Sequence, residues 1–180
     1  MSEPLRTVAL IVAAGSGSRV GGDLPKQFRR VLGQPMLRHS YAALSAHPDI
    51  SDVYVAVGES QESMALDSLN GLPSPHLVVG GATRRESVNN GLAAIAADGG
   101  ARRVLIHDAA RPFLAEKLID DLLAALDEAP GAVPALPVVD SLARGDGALM
   151  DTVERDGLWP PIVPSVVLAE SLSGRPRTDA

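Results

Sequence analysis

Hydrophobic positions along the chain fall into two patterns, short continuous apolar runs and helically spaced residues. Continuous runs rich in β-branched residues predict strands that are covered on both faces. Apolar residues that recur every three or four positions, as Leu37, Tyr41 and Leu44 do, predict one face of a helix. The predicted strands are 7–13, 52–57, 77–79, 103–106 and 132–139, and the predicted helices are 35–46, 61–69, 83–97 and 116–126.

Local signals refine two of these elements. Thr83 and Glu86 have the spacing of a capping box, which predicts a helix start. Pro134 and Pro137 lack the amide hydrogen that a central strand needs, so 132–139 is predicted to be an edge or irregular strand. Strands that alternate with helices predict a three-layer α/β fold with a mainly parallel sheet. In such folds, ligands bind outside the carboxyl ends of the strands.

Composition narrows the functional classes. The chain has 180 residues, 46% of them hydrophobic, which is enough for one domain with a substantial core. A net charge of −6 argues against a nucleic-acid partner, although a local positive pocket for a small anion remains compatible with it. The absence of cysteine excludes disulfides and thiolate metal sites and favours a cytoplasmic location. No apolar run approaches the roughly 20 residues of a membrane span, so we expect no membrane partner.

The segment AAGSGSRVGGDLPKQF (13–28) follows the first predicted strand and combines glycines with two isolated cations, Arg19 and Lys26. It lacks the Gly-Lys-Ser/Thr of a Walker A loop. It fits the dinucleotide fingerprint poorly, because Val20 stands where the third glycine belongs. A third interpretation is a nucleotide loop in which main-chain amides and both cations approach a triphosphate. A flexible surface turn with two solvated cations is the alternative.

This segment resembles the signature loop of the 2-C-methyl-D-erythritol 4-phosphate cytidylyltransferases, which belong to the non-mevalonate isoprenoid pathway. The resemblance runs from about residue 7 to residue 159. It rests also on four later blocks in the same order: GGATRRESV (80–88), HDAARP (107–112), PVVDSL (137–142) and TVERDGLW (152–159). It implies a Rossmann-like nucleotidyltransferase fold, with a protruding dimerisation arm at about 137–157 that is exchanged within a homodimer. It also implies CTP and a polyol phosphate as substrates, with Mg²⁺ or another divalent cation.

The resemblance also implies a role for individual residues. Arg19 and Lys26 are the expected catalytic cations. The expected nucleotide-binding residues are Ala13, Ala14, Gly15, Gly80, Gly81, Ser87, Asp108 and Ala109. Asp108 is also the expected metal ligand, and Ser141 and Arg155 are expected to hold the phosphate of the second substrate.

Each assignment has a structural alternative. Gly80, Gly81 and Ser87 fit an ordinary strand-to-helix turn. Asp108 fits a helix or turn cap, and Ser141 and Arg155 fit an exposed loop. Four further residues outside these assignments are predicted to be structural: Arg84 and Arg85 on the surface, Arg111 in an ion pair, and His107, like the other histidines, without metal-ligand spacing.

The sequence departs from the family pattern after Trp159. A Thr-Pro-Gln segment is expected there, but PPIVPSVV follows instead, and a later lysine-containing block is missing. We therefore expect a nucleotidyltransferase domain at 1–159 and an atypical tail at 160–180. A frameshifted or truncated gene would explain the tail and would impair activity. One form of such a gene is a disrupted fusion with a cyclodiphosphate synthase. The alternatives are a nucleotidyltransferase for another polyol phosphate, such as ribitol 5-phosphate, and an inactive nucleotide-binding fragment.

Overall fold

The computed structural model describes residues 6–15, 24–145 and 151–160, together with the backbone of 165–168. Within these ranges the strands and helices follow one another in the order β1 (Thr7–Ala13), β2 (Arg30–Val31), β3 (Gln34–Pro35), α1 (Met36–Ser45), β4 (Asp52–Val57), α2 (Glu62–Leu69), β5 (His76–Val79), α3 (Arg84–Ala97), β6 (Arg103–Asp108), α4 (Glu116–Ala125), β7 (Gly131–Ala132), β8 (Leu142–Arg144), β9 (Asp151–Val153) and β10 (Ser165–Leu168). A 3₁₀ turn at Lys26–Phe28 precedes β2.

The central sheet has the strand order β5-β4-β1-β6-β10-β7. The first four strands are parallel, and β10 is antiparallel to both of its neighbours. Val12 of β1 lies opposite both Ala56 of β4 and Asp108 of β6. The carboxyl ends of the three central strands therefore lie side by side at one edge of the sheet, and the predicted α/β fold is confirmed.

Helices cover both faces of the sheet, which gives three layers. Tyr41 of α1 and Ile119 of α4 share one buried cluster with Ile11 of β1, and α2 adds to the same cluster. On the other face, α3 packs against the neighbouring strand residue Leu10. This approach is close, because a Cβ atom added to Gly91 of α3 would lie 2.4 Å from Leu10 Cδ1. The core is almost wholly aliphatic, as the composition predicts.

The predicted fifth strand at 132–139 lies at an edge of the sheet and is irregular, as expected, but its predicted length is wrong. The sheet takes only Gly131–Ala132, at its edge, and irregular chain follows. Pro134 and Pro137 explain the early end, since neither can donate a backbone hydrogen bond to a neighbouring strand. The place beside β6 belongs instead to Ser165–Leu168, which the sequence did not predict as a strand.

A separate two-stranded hairpin lies where the resemblance implied an arm. β8 and β9 pair antiparallel, with Leu142 opposite Val153, and residues 146–150 between them lie outside the described ranges. At the base of the hairpin, the Val138 amide donates to the Leu158 carbonyl at 3.1 Å. Among the helices that the structure describes, none is long and apolar enough to cross a membrane.

Candidate active site

The carboxyl ends of β1, β4 and β5 pack closely together. The Gly80 amide donates to the Val57 carbonyl at 2.7 Å, which continues the pairing of β5 with β4 for one more residue. A Cβ atom on Gly80 would lie 2.4 Å from the Ala14 Cβ, so position 80 has no room for a side chain. The expected nucleotide residues at 13–15 and at 80–81 are thus brought together, although the chain separates them widely.

Ser87 fixes the turn that leads from β5 into α3. It is buried, its Oγ accepts a hydrogen bond from the Gly81 amide at 3.1 Å, and it donates to the Thr83 carbonyl at 2.9 Å. Thr83 and Glu86 form the capping box that the sequence predicts. These contacts show Ser87 holding Gly81 in place, whereas the expected contact between Ser87 and a nucleotide base stays a prediction.

Lys26 is positioned by its neighbour Gln27. The Gln27 amide Nε2 donates to the Ala13 carbonyl and, at 3.1 Å, to Gln61 Oε1. Gln61 Oε1 also accepts from the Gly58 amide at 3.3 Å, directly after β4. Lys26 is half-buried beside the end of β1, and it has no ion-pair partner among the described residues.

The sequence analysis did not identify Gln27 and Gln61, the two glutamines that connect the Lys26 segment to the ends of β1 and β4. The only signal for Gln27 was its place in the Pro-Lys-Gln triplet, and nothing local marked Gln61. Arg19, the other expected catalytic cation, lies outside the described residues.

Asp108 ends β6 at the same edge of the sheet. The Ala109 amide donates to the Val12 carbonyl at 3.1 Å, which holds the first residue after β6 against β1. The Asp108 carboxylate caps no helix in the described part of the chain. Its Oδ1 instead accepts from Arg84 Nε at 2.9 Å, across 24 residues of chain. Arg84 was predicted to be structural, but this partner was not foreseen.

His107 forms hydrogen-bond contacts that hold the segment after β6 in place. It is buried, and its Nε2 lies 3.0 Å from the Arg111 carbonyl and 3.2 Å from Ser40 Oγ. A carbonyl can only accept, so Nε2 carries the hydrogen. Nδ1 is buried without a partner among the described residues. Burial lowers the pKa of His107, although its bond to the Arg111 carbonyl and the charge of Asp108 oppose the shift. The predicted structural role of His107 fits these contacts. The predicted ion pair of Arg111 is absent among the described residues. The structural contact of Arg111 is instead made by its backbone carbonyl, which accepts the hydrogen bond from His107.

Within the described ranges, Asp108 and a separate histidine–aspartate group offer ligands for a metal. Asp108 offers one half-buried carboxylate beside the glycine-lined strand ends, which fits a divalent cation whose other ligands are triphosphate oxygens and water. His47, Asp49 and Asp120 also have ligand atoms within 4.8 Å of one another. Both ring nitrogens of His47 already have structural partners there, because Nδ1 accepts from the Asp49 amide and Nε2 lies 3.1 Å from Asp120 Oδ1.

Ser141 and Arg155 lie at the hairpin, whose two strands form a sheet separate from the central one. Both are exposed, and Arg155 Nη1 donates to the Val139 carbonyl across the base of the hairpin. No hydrogen bond or ion pair in the described ranges connects either residue to the strand ends. The structure therefore brings together residues 13–15, Lys26, residues 80–81 and residues 108–109, but not the two residues expected to hold the second substrate.

The chain matches the family model described as "IspD: 2-C-methyl-D-erythritol 4-phosphate cytidylyltransferase" over residues 7–174, a range that includes the described strand β10. It is 44% identical over 171 residues to a 2-C-methyl-D-erythritol 4-phosphate cytidylyltransferase of Cereibacter sphaeroides, and the alignment covers 93% of this chain and 75% of that one. It is 55% identical over 150 residues to a bifunctional enzyme IspD/IspF of Rhizorhabdus wittichii, where 83% of this chain and 38% of the relative are covered. This chain therefore spans well under half the length of that bifunctional relative.

Solved structures agree with the sequence comparison. A crystal structure of 4-diphosphocytidyl-2C-methyl-D-erythritol synthase superposes with a TM-score of 0.80 at 30% identity, covering 93% of this chain and 77% of that one. The 2-C-methyl-D-erythritol 4-phosphate cytidylyltransferase of Thermus thermophilus superposes with a TM-score of 0.73 at 32% identity, covering 93% and 73%. The sequence match, the shared fold and the strand-end cluster lead to one conclusion: the chain belongs to the 2-C-methyl-D-erythritol 4-phosphate cytidylyltransferase family.

Proposed function

We propose that this chain transfers a cytidylyl group from CTP to 2-C-methyl-D-erythritol 4-phosphate and releases pyrophosphate, in the non-mevalonate synthesis of isoprenoid precursors. One observation supports this function above the others. Lys26, the closely packed strand ends at Ala14 and Gly80, and the Asp108 carboxylate lie at the sheet edge where α/β folds bind ligands. Family membership supports this choice of substrates.

The chemistry of the reaction fits a site without a strong general base. The nucleophile is a phosphate oxygen of the second substrate, which is already ionised at neutral pH. What remains for the protein is to align this oxygen with the α-phosphorus of CTP and to neutralise the charge that accumulates there. We assign the second task to Lys26, together with Arg19. The glycines at 80 and 81 leave main chain open to the nucleotide.

Asp108 is the residue that would hold a divalent cation, with the nucleotide triphosphate supplying further oxygen ligands. Such a cation would neutralise phosphate charge during the transfer. Ala109 and the end of β1 are hydrogen-bonded to each other, so this carboxylate sits on a fixed strand end rather than on a free loop.

We assign the phosphate of the second substrate to Ser141 and Arg155 on the hairpin arm. Because this arm is separate from the strand-end cluster, we propose that it completes the site of a second copy of the chain in a homodimer. Exposed apolar residues at the arm, Val139 among them, favour a covered surface there. The proposed cytoplasmic location rests on the absence of cysteine.

The test of this function is the variant Lys26→Ala, assayed by pyrophosphate release from CTP and 2-C-methyl-D-erythritol 4-phosphate. We expect kcat to fall roughly 10²- to 10³-fold, while the dissociation constant of CTP changes much less, because the charge acts mainly on the transition state. Lys117→Ala is the control, since it also removes one lysine charge but from an exposed pair with Asp121. An unchanged kcat for Lys26→Ala would refute the assigned role.

Substrate identity is tested separately with the unmodified chain. Pyrophosphate release is compared for CTP and ATP, each with 2-C-methyl-D-erythritol 4-phosphate and with ribitol 5-phosphate. Release confined to CTP and the methylerythritol phosphate supports the proposal. Faster release with ribitol 5-phosphate would reassign the substrate, and CTP binding without any release would reduce the chain to a nucleotide-binding protein.

A further inference from the structure

Arg84 stands at an unexpected place for a cation. It is the first residue of α3, where the helix macrodipole favours negative charge and disfavours positive charge. Arg85 follows it on the same turn, so two like charges adjoin at the positive end of the helix. The unfavourable interaction of Arg84 with the helix macrodipole is therefore expected to be offset by another interaction, which the structure shows.

That interaction is the ion pair with Asp108. Arg84 Nε lies 2.9 Å from Asp108 Oδ1 and joins the start of α3 to the end of β6. The other oxygen of the carboxylate, Oδ2, accepts no hydrogen bond from a described residue. The guanidinium thus occupies one of the two oxygens that the proposed metal site would use.

We propose that Arg84 is a positioning residue that competes with the divalent cation for Asp108 and so sets the Mg²⁺ concentration at which the nucleotide binds. This inference rests on the proposed metal role of Asp108. A guanidinium and a cation cannot share one carboxylate oxygen without strong repulsion. Arg84 holds Oδ1 of Asp108, so a cation can use both carboxylate oxygens only when Arg84 leaves Oδ1.

The strength of the pair suits such an exchange. The side chains are 53% exposed for Arg84 and 27% exposed for Asp108, so water screens the interaction. Pairs of this kind contribute little stability. A divalent cation can displace a weak, exposed ion pair, whereas a buried ion pair would exclude the cation. Its removal should accordingly shift the Mg²⁺ requirement by a small factor, about two- to fivefold.

The experiment measures CTP binding to the full 180-residue chain by calorimetry over a series of Mg²⁺ concentrations. Arg84→Gln removes the competing charge. Arg85→Gln is the matched control, because Arg85 lies on the same turn, is exposed and has no ion pair within the described ranges. Asp108→Asn removes the proposed metal ligand. Arg84→Lys keeps the charge with a different geometry, and unfolding in urea verifies that each variant is folded.

We expect Arg84→Gln to reach half-saturation at about two- to fivefold lower Mg²⁺ than the unmodified chain. Arg85→Gln should match the unmodified chain, and Arg84→Lys should lie between. If Arg84→Gln behaves as Arg85→Gln does, or needs more Mg²⁺, the competition is refuted while the metal site stands. If CTP binding to the unmodified chain ignores Mg²⁺, or if Asp108→Asn has no effect, the proposed metal role itself fails.

Discussion

Residue by residue, the segment after β6 depends on one buried imidazole. His107 donates from Nε2 to the Arg111 carbonyl, and so fixes the turn that begins with Asp108. Its Nδ1 has no partner among the described residues, which means that a second proton would be buried without compensation. Burial therefore lowers the pKa of His107, and the folded protein keeps the ring neutral.

This shift makes a prediction about acid stability. In the unfolded chain, a histidine takes up a proton near its ordinary pKa of about 6.5. The folded chain resists protonation, so stability is fully present above that pH and falls as the pH drops from about 6.5 towards the lowered pKa. We expect the free energy of unfolding of the unmodified chain to fall more steeply between about pH 7 and pH 5 than that of His107→Gln.

Urea unfolding at each pH measures this difference. The other three histidines are present in both proteins, so the difference between the slopes reports on His107. Parallel slopes for the two proteins would show that His107 takes up its proton in the folded state as readily as in the unfolded one.

Among the elements, α3 does most to shape the candidate site. Its first turn holds Gly81 through Ser87, and its position on the sheet is set by the close contact of Gly91 with Leu10. The turn is stabilised by reciprocal bonds: the Glu86 amide donates to Thr83 Oγ1 at 3.1 Å, and the Thr83 amide donates to Glu86 Oε2 at 3.0 Å.

We predict that Thr83→Ala lowers the free energy of unfolding by about 1 kcal/mol, because the Glu86 amide then loses its side-chain acceptor. Thr83→Ser retains an acceptor oxygen and should cost much less. Urea denaturation of the three proteins provides the measurement. Equal losses for the alanine and serine variants would assign the effect to the lost methyl group and not to the cap.

At the scale of the whole molecule, the arm and the segments beside it present exposed apolar side chains. Large apolar side chains are exposed along the segments that lead to and from the hairpin: Val133, Leu136, Val139, Leu158 and Trp159. Exposed apolar patches of this kind mark surfaces that another molecule covers. The proposed second copy of the chain would cover them and place Ser141 and Arg155 near its own strand ends.

We predict a homodimer that Leu136→Asp dissociates. Leu136 is 61% exposed near the arm, whereas Leu66, on α2, is 50% exposed elsewhere, so Leu66→Asp introduces the same charge as a control. Sedimentation equilibrium should give a dimer for the unmodified chain and for Leu66→Asp, with at least a tenfold weaker dimer for Leu136→Asp, equivalent to about 1.4 kcal/mol. A monomer at all concentrations of the unmodified chain would contradict the exchanged arm.

Local sequence was sufficient where a structure depends on neighbouring residues. The bounds of β1 and β4 follow from continuous apolar runs, and the start of α3 follows from Thr83 and Glu86. The alternation of strands and helices also predicted the parallel order of the central strands. These features could be predicted from the sequence because each depends on backbone preferences and burial patterns within a few residues.

Tertiary structure alone decided the contacts between distant segments. The pairing of Arg84 with Asp108, the bond from Gln27 to the Ala13 carbonyl, and the antiparallel β10 beside β6 join residues that no local pattern connects. The place of β10 between β6 and β7 likewise depends on which segments can exchange hydrogen bonds with β6. A sequence specifies such partners only through the packing of the whole chain, which brings donors and acceptors from different elements to one place.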